Sequence, residues 1–270
     1  MNRQTALITG ASGVIGKAIA EQFARDGVDL VITARSLNTL QSLSAEWSKK
    51  YGVQVTVHAS DLAQPGAAQA LADTLISQGI LIDYLVNNAG YGVYGLFQDS
   101  RLEDELAMMT VNMTSLTVLT KRFLPQILKR KGKIMNVAST AGFQPGPYMA
   151  VYYATKAYVL SFTEALASEL TGTGVTVTAL CPGPTRSGFQ DKAAMNDSAL
   201  VKGKRLATAD EVGQAGYRAM IAGKRVFVPG LMNKLLVQTL RFTPRNMVVA
   251  IVKKMSAPVS RPPASRTTTR

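Results

Sequence analysis

Residues 5–16 read Thr5-Ala6-Leu7-Ile8-Thr9-Gly10-Ala11-Ser12-Gly13-Val14-Ile15-Gly16. A short apolar run that ends at Thr9 and breaks into three glycines reads as a strand, Thr5–Thr9, entering a tight turn. From Val14 to about Gly27 the periodicity is that of a helix. Glycines permit such a turn and let the backbone come close to a diphosphate, while the helix start offers unpaired N–H groups and a positive dipole end. A glycine turn alone often binds nothing, so its meaning depends on what surrounds it.

Outward from this turn the chain alternates. Asp29–Ala34 reads as a second strand, Leu37–Tyr51 as a helix and Val53–Ala59 as a third strand. Pro65–Gln78 is a helix with Pro65 suited to its first turn. Ile82–Val86 is a fourth strand, and about Leu102–Lys129 a long helical pattern that Pro125 would disturb. Lys133–Val137, Val175–Leu180 and a short Arg225–Val228 complete the strands, Tyr152–Leu170 and Asp210–Ala222 the helices. This alternation predicts right-handed crossovers. The expected fold is α/β: a Rossmann-like doubly wound parallel sheet of about seven strands, helices on both faces, and a C-terminal helical extension.

The main domain is expected over residues 1–230. Residues 182–207 mix Pro, Gly and charge and read as a substrate lid. Residues 231–255 hold two amphipathic patterns, Leu231–Phe242 and Pro244–Met255, and residues 256–270 a Pro/Ser/Thr/Arg-rich tail expected to be disordered. Apolar residues make up 47% of the chain and charged ones 17%, which supports a sizeable core and excludes a disordered chain. A single cysteine, Cys181, excludes an intrachain disulfide and fits a reducing compartment. No signal peptide is read at the N-terminus, and no apolar run approaches the ~20 residues needed to span a bilayer. The expected location is cytoplasmic, or peripheral at a membrane surface.

The net charge of +13 is unevenly placed. Residues 1–211 hold nineteen basic and seventeen acidic side chains; beyond Glu211 there are eleven basic and no acidic ones. Because the bulk of the chain is nearly neutral, no nucleic-acid partner is expected. The amphipathic patterns at 231–255 could cover a substrate pocket, meet another subunit, or lie on an anionic membrane.

About twenty residues past the glycine turn stands Thr33-Ala34-Arg35-Ser36, with no acid until Glu46. An Asp or Glu here would grip a ribose 2′-hydroxyl, whereas a guanidinium pairs with a 2′-phosphate. Arg35 therefore favours NADP(H) and leaves NAD(H) open; a merely solvent-facing Arg35 is the competing reading.

Further on, Tyr152-Tyr153-Ala154-Thr155-Lys156 sets Tyr152 and Lys156 four apart at an apparent helix start, on one face. A nearby cation and the helix dipole favour phenolate, which tunes a proton donor or acceptor for a hydroxyl or carbonyl oxygen. Alone, the spacing is common and a packing tyrosine is the better reading.

It does not stand alone. Asn87-Asn88-Ala89-Gly90, Asn136-Val137-Ala138-Ser139, Tyr152-x-x-x-Lys156 and Cys181-Pro182-Gly183-Pro184-Thr185 follow one another at strand ends or just after them. With these motifs the chain resembles the classical short-chain dehydrogenase/reductase family, to about residue 230. Ser139 precedes Tyr152 by thirteen positions and Asn112 by forty, which suits that family. The resemblance implies an oxidoreductase that passes hydride between nicotinamide and an alcohol or carbonyl carbon. Tyr152 would be the general acid/base, Lys156 would lower its pKa and hold the nicotinamide ribose, and Ser139 would bond the substrate oxygen. Asn112 would support a water relay to Lys156. Gly10, Ser12, Gly13, Val14, Ile15 and Gly16 would meet the diphosphate, with Asp61 and Leu62 beside the adenine. Asn88, Ala89 and Gly90 would line the channel, and Pro182, Gly183 and Thr185 would hold the carboxamide. A homodimer or homotetramer through the helices near 102–129 and 152–170 is implied too.

One departure stands out. The family's common pattern, Thr-Gly-x-x-x-Gly-x-Gly, asks for glycine at 14, where this chain has Val14 and offers Gly13 instead. Gly10 and Gly16 remain, so binding is expected to survive. Phe143, Pro145, Pro147, Tyr148, Met149 and Phe189 suggest an apolar alcohol or carbonyl substrate; Met149, Met195 and Met232 could touch it, but core or surface packing is the better reading of these methionines. His58, Trp47 and Cys181 read as structural, and no metal site is expected. The rival reading is a non-catalytic nucleotide-sensing or membrane-associated adaptor on the same fold. Loss of Ser139, Tyr152 or Lys156 would signal it, and all three are present.

Overall fold

A computed structural model describes residues 3–186 and 206–258. Its strands are β1 (Thr5–Thr9), β2 (Asp29–Ala34), β3 (Val55–Ala59), β4 (Tyr84–Asn87), β5 (Lys133–Val137), β6 (Thr176–Leu180), β7 (Thr185–Arg186), β8 (Ala207–Thr208) and β9 (Val226–Phe227). Seven form one sheet, in the order β3-β2-β1-β4-β5-β6-β9, and every pairing in it is parallel. The order turns back at β1, between β2 and β4, which is where a doubly wound sheet opens a crevice at its strands' carboxyl ends.

The helices are α1 (Val14–Arg25), α2 (Leu37–Tyr51), α3 (Ala67–Ser77), α4 (Leu102–Met109), α5 (Leu116–Arg130), α6 (Ala150–Glu169), α7 (Ala209–Ile221), α8 (Leu231–Thr239) and α9 (Arg245–Ser256). They cover both faces, which is why the central strands are apolar on both sides. In β1, Ala6 and Ile8 join Phe23, Leu40, Trp47 and Met220 beneath α1, α2 and α7. Leu7, between them, joins Leu75, Phe123 and Leu166 beneath α3, α5 and α6.

Several expected boundaries move for physical reasons. Pro65 does not open α3; Gly66, at φ 79, caps it instead, in a left-handed conformation that glycine adopts freely. β4 starts at Tyr84, because the Ile82 N–H donates to Gln126 Oε1 (2.9 Å) and Asp83 receives the Thr5 N–H (2.9 Å). The long helix is interrupted by a π-helical turn at Thr110–Ser115, whereas Pro125 lies inside an unbroken α5. The carbonyl that Pro125 cannot bond belongs to the exposed Lys121, where water can serve it.

β7 and β8 pair with each other and bracket residues 187–205, so most of the expected lid lies outside the described residues. Of the residues expected in the tail, Ser256 instead closes α9 and is fully buried. Residues 259–270 are also outside the described residues. Among the described residues no helix is long and apolar enough to cross a membrane.

Candidate active site

The carboxyl ends of β1, β4, β5 and β6 open on a cavity of about 1290 Å³. At its nucleotide end the glycine turn is packed too tightly for side chains. Gly10 has φ +66, and a Cβ there would lie 2.9 Å from the Ala89 Cα; one on Gly16 would run into Asn88 Nδ2 and the Gly10 carbonyl. Asn88 fastens the turn from the end of β4. Its Nδ2 donates to the carbonyls of Thr9 (2.8 Å) and Gly10 (3.2 Å), and Thr9 Oγ1 accepts the N–H groups of Asn88 (3.0 Å) and Ala89 (2.9 Å). Gly13 then starts α1, whose first turn carries no acidic residue and no side-chain cap. Its unpaired N–H groups and positive dipole end are available to an anion. Val14 is 45% exposed at the cavity margin, so the departure from the family pattern does not enter the Gly10–Gly16 packing. Arg35 is exposed at the end of β2 and borders the same cavity.

The other end is formed by α6 and the loops after β5 and β6. The hydroxyls of Tyr152 and Ser139 are hydrogen-bonded, and Ser139 Oγ also accepts the Ala141 N–H (3.1 Å) and donates to the Pro182 carbonyl (3.3 Å). Lys156, buried, donates from Nζ to the Val137 carbonyl (2.7 Å) and lies 5.8 Å from the Tyr152 ring centre. Burial pushes the Lys156 pKa down to about 8. Burial also drives the Tyr152 phenol well above its ordinary value, and the Ser139 bond, which acts the other way, does not offset it. The lowered phenol pKa expected from Lys156 is thus not seen: the ammonium is directed to a carbonyl, and loss of water penalises phenolate more. The resting phenol is protonated.

Asn112 sits in the π-helical turn, where the widened backbone carries its side chain toward the loop after β4. Its Oδ1 accepts the Tyr91 N–H (3.1 Å), and its Nδ2 donates to the Tyr91 carbonyl (3.0 Å) and to Thr155 Oγ1 (3.0 Å). A Cβ on Gly90 would lie 3.0 Å from Asn112 Oδ1 and 3.3 Å from Lys156 Nζ, so Gly90 lets both approach closely and stands between Asn112 and the cavity. Below, Asn87 Nδ2 donates to Thr120 Oγ1 (3.0 Å) and Asn136 Oδ1 (2.9 Å), and Asn136 Nδ2 to Thr163 Oγ1 (2.9 Å). This buried network locks β4 and β5 to α5 and α6 beneath the site.

Ser139, Tyr152, Lys156 and every residue expected at the cofactor border this cavity; Asn112 stands behind Gly90. The pocket's apolar side differs from expectation. Of Phe143, Pro145, Pro147, Tyr148 and Met149, only Met149 borders it, and Phe143 packs instead beside Ala138 and Val159. Phe189 and Met195 lie outside the described residues. The apolar wall comes from α8 and α9, through Met232, Leu236, Leu240, Val248, Ile251 and Val252. Their helical stripes were legible, but not which face they would cover. Thr9 and Thr155 were given no role although each sits inside a motif, because the groups they bond lie far off in sequence. Ser256, whose carbonyl accepts the Tyr94 hydroxyl (2.7 Å), was missed as well. Trp47 is fully buried in the core, and Cys181 is a buried thiol pushed up to about 12. Among the described residues no three His, Cys, Asp or Glu side chains gather as a metal site.

Residues 4–197 match the short chain dehydrogenase family. A 3-oxoacyl-[acyl-carrier-protein] reductase of Synechocystis sp. is 38% identical over 185 residues, which are 68% of this chain and 74% of the relative. A diacetyl reductase of Staphylococcus epidermidis is 32% identical over 216 residues, 78% of this chain and 80% of the relative. Among solved structures, a short-chain dehydrogenase from Sphingobium yanoikuyae in complex with NADPH superimposes with a TM-score of 0.78 at 33% identity, covering 90% of this chain and 96% of the other.

Proposed function

The chain belongs to the short-chain dehydrogenase family and is an oxidoreductase acting between CH–OH and C=O, and on that premise we propose that it is an NADPH-preferring reductase of apolar ketones or aldehydes, with Tyr152 as its proton donor. The observation that carries this reading is the convergence of Ser139, Tyr152 and Lys156 on one end of a cavity whose other end is the glycine turn and Arg35. A dinucleotide fits the residues present. Gly10 and Gly16 leave a cradle that a Cβ would fill, and the start of α1 leaves N–H groups for a diphosphate. The structure solved with NADPH supports the choice of cofactor. The intact catalytic set weighs against a non-catalytic nucleotide sensor or adaptor.

When bound, the nicotinamide supplies or accepts the hydride. Arg35 would hold the 2′-phosphate, Asp61 and Leu62 the adenine, and Gly183 and Thr185 the carboxamide. Tyr152, neutral because it is buried, gives its hydroxyl proton to the carbonyl oxygen during reduction and takes it back during oxidation. Ser139 donates a hydrogen bond to the same oxygen as charge gathers there; such a donor contributes roughly 10²–10³ in rate. Lys156, charged below about pH 8 and fixed by Val137, stabilises the phenolate that remains. Asn112 keeps the Tyr91 loop and α6 in register. The α8–α9 wall excludes water and selects apolar substrates.

We assign a homodimer or homotetramer contact to α4 and α6, where Leu102 (63%), Leu106 (51%) and Tyr158 (39%) are exposed. Tyr158 is held ready by stacking on Phe162 and by its bond to Thr117 (2.8 Å).

Fluorescence titration with NADPH and NADH, for wild type and Arg35→Glu, tests the cofactor assignment. A charge-assisted bond to phosphate is worth roughly 1.5–3 kcal/mol, so NADPH is expected to bind at least about tenfold more tightly. Arg35→Glu is expected to abolish that preference. Equal affinities in wild type would overturn it.

A further inference from the structure

Among the described residues, the helices that wall the cavity also carry the largest concentration of exposed apolar side chains. Leu231 is 75% exposed, Leu235 52% and Met247 56%, and Phe242, in the turn joining α8 to α9, is 88% exposed. Met232 and Ile251 are exposed as well, yet border the cavity, so the apolar surface runs continuously into the pocket. Lys234, Arg241, Arg245, Lys253 and Lys254 are exposed around it. Among the described residues no ion pair reaches α8 or α9, and the sequence holds no acidic residue after Glu211.

We propose that the α8–α9 hairpin docks the enzyme on an anionic lipid bilayer, with Phe242 and its apolar neighbours in the interface and the basic side chains at the headgroups. The proposal rests on the apolar-substrate reading, which it extends: a lipophilic ketone would pass from the bilayer past Met232 and Ile251 into the pocket. Charge decides the occupant. A second copy laid two-fold on this face would set basic side chains against the same basic side chains, which repel. An anionic bilayer complements both the charge and the projecting apolar tip.

The test is flotation of the purified full chain with vesicles of phosphatidylglycerol and phosphatidylcholine, or of phosphatidylcholine alone. We expect binding to the anionic vesicles only, weakening as salt screens the charges. Phe242→Ser combined with Met247→Ser should weaken it about tenfold. Neither residue borders the cavity, so NADPH binding and reduction of a water-soluble ketone should not change in that variant. No flotation with anionic vesicles would overturn the proposal, as would undiminished flotation of the double variant. It would also fall if truncation after residue 258 removed binding that the double variant retained, because the basic tail would then be the anchor. Light scattering that shows a larger assembly dispersed by the double substitution, without vesicle binding, would assign the face to a second copy. Flotation as expected without any ketone reduction would leave the docking standing and defeat the reading of the active site.

Discussion

Lys156 donates to the carbonyl of Val137 at 2.7 Å, so the ammonium beside Tyr152 is anchored by the end of β5 and not by any carboxylate. Burial without a counter-charge lowers its pKa from 10.5 to about 8. Between those values the unfolded chain holds a proton that the folded protein has released, so this group raises stability as pH climbs. In cofactor-free protein, Lys156→Met should therefore lose stability relative to wild type between pH 7 and 10.5, on the order of 2–3 kcal/mol. Thermal unfolding of both across that range measures it. A difference that does not vary with pH would contradict the buried, unpaired charge.

Gly16 and Gly13 should behave differently although three residues apart. A methyl on Gly16 meets Asn88 Nδ2 and the Gly10 backbone, whereas one on Gly13 meets only the Gly10 carbonyl, at 3.2 Å, from an ordinary φ of −82. Gly16→Ala should lower stability by about 1–3 kcal/mol and weaken NADPH binding at least about tenfold. Gly13→Ala should cost less than about 1 kcal/mol. Urea unfolding and cofactor titration of the two variants would show whether the Asn88 contact sets the limit.

At the opposite ends of the strands, Asp83 accepts Arg130 Nε (2.6 Å) and a second guanidinium N–H (3.1 Å), along with the Thr5 N–H. Its side chain is only 3% exposed. Asp83→Ala strands a partly buried guanidinium and an N–H, so we expect a loss of about 3 kcal/mol. Because the cavity lies across the sheet, NADPH affinity should stay unchanged. A loss of affinity with intact stability would show that this pair serves the site.

The Tyr94 hydroxyl holds the end of α9 through the Ser256 carbonyl. Tyr94→Phe removes one bond and little volume, so the substrate wall loosens while the nucleotide end does not. Steady-state kinetics should show KM for an apolar ketone raised several-fold at unchanged NADPH affinity. Unaltered KM would remove α9 from the substrate site.

Much of this architecture is legible in the residues themselves. β1, β2, α2 and β5 fall where their periodicity puts them, because strands buried on both faces and helices with one apolar stripe leave strong local patterns. The glycine turn and Tyr152-x-x-x-Lys156 are equally plain, as steric and spacing demands fall within a few residues. What escapes is set by partners distant in sequence. Nothing near Thr110–Ser115 announces a π-helical turn, which places Asn112 against Tyr91 and Thr155. Nor does the Leu231–Met255 pattern reveal that one side would wall the pocket. The direction of the Tyr152 shift is hidden for the same reason: motif spacing carries the cation, whereas burial emerges only from the assembled fold.

The most direct test is reduction of an apolar ketone by NADPH, followed at the cofactor's absorbance, in wild type and Tyr152→Phe. The phenol is assigned the proton transfer and no part in holding the diphosphate. The account predicts that kcat falls by roughly 10²-fold or more, in line with loss of a general acid, while NADPH affinity is retained. A Tyr152→Phe enzyme that turns over at the wild-type rate would contradict it.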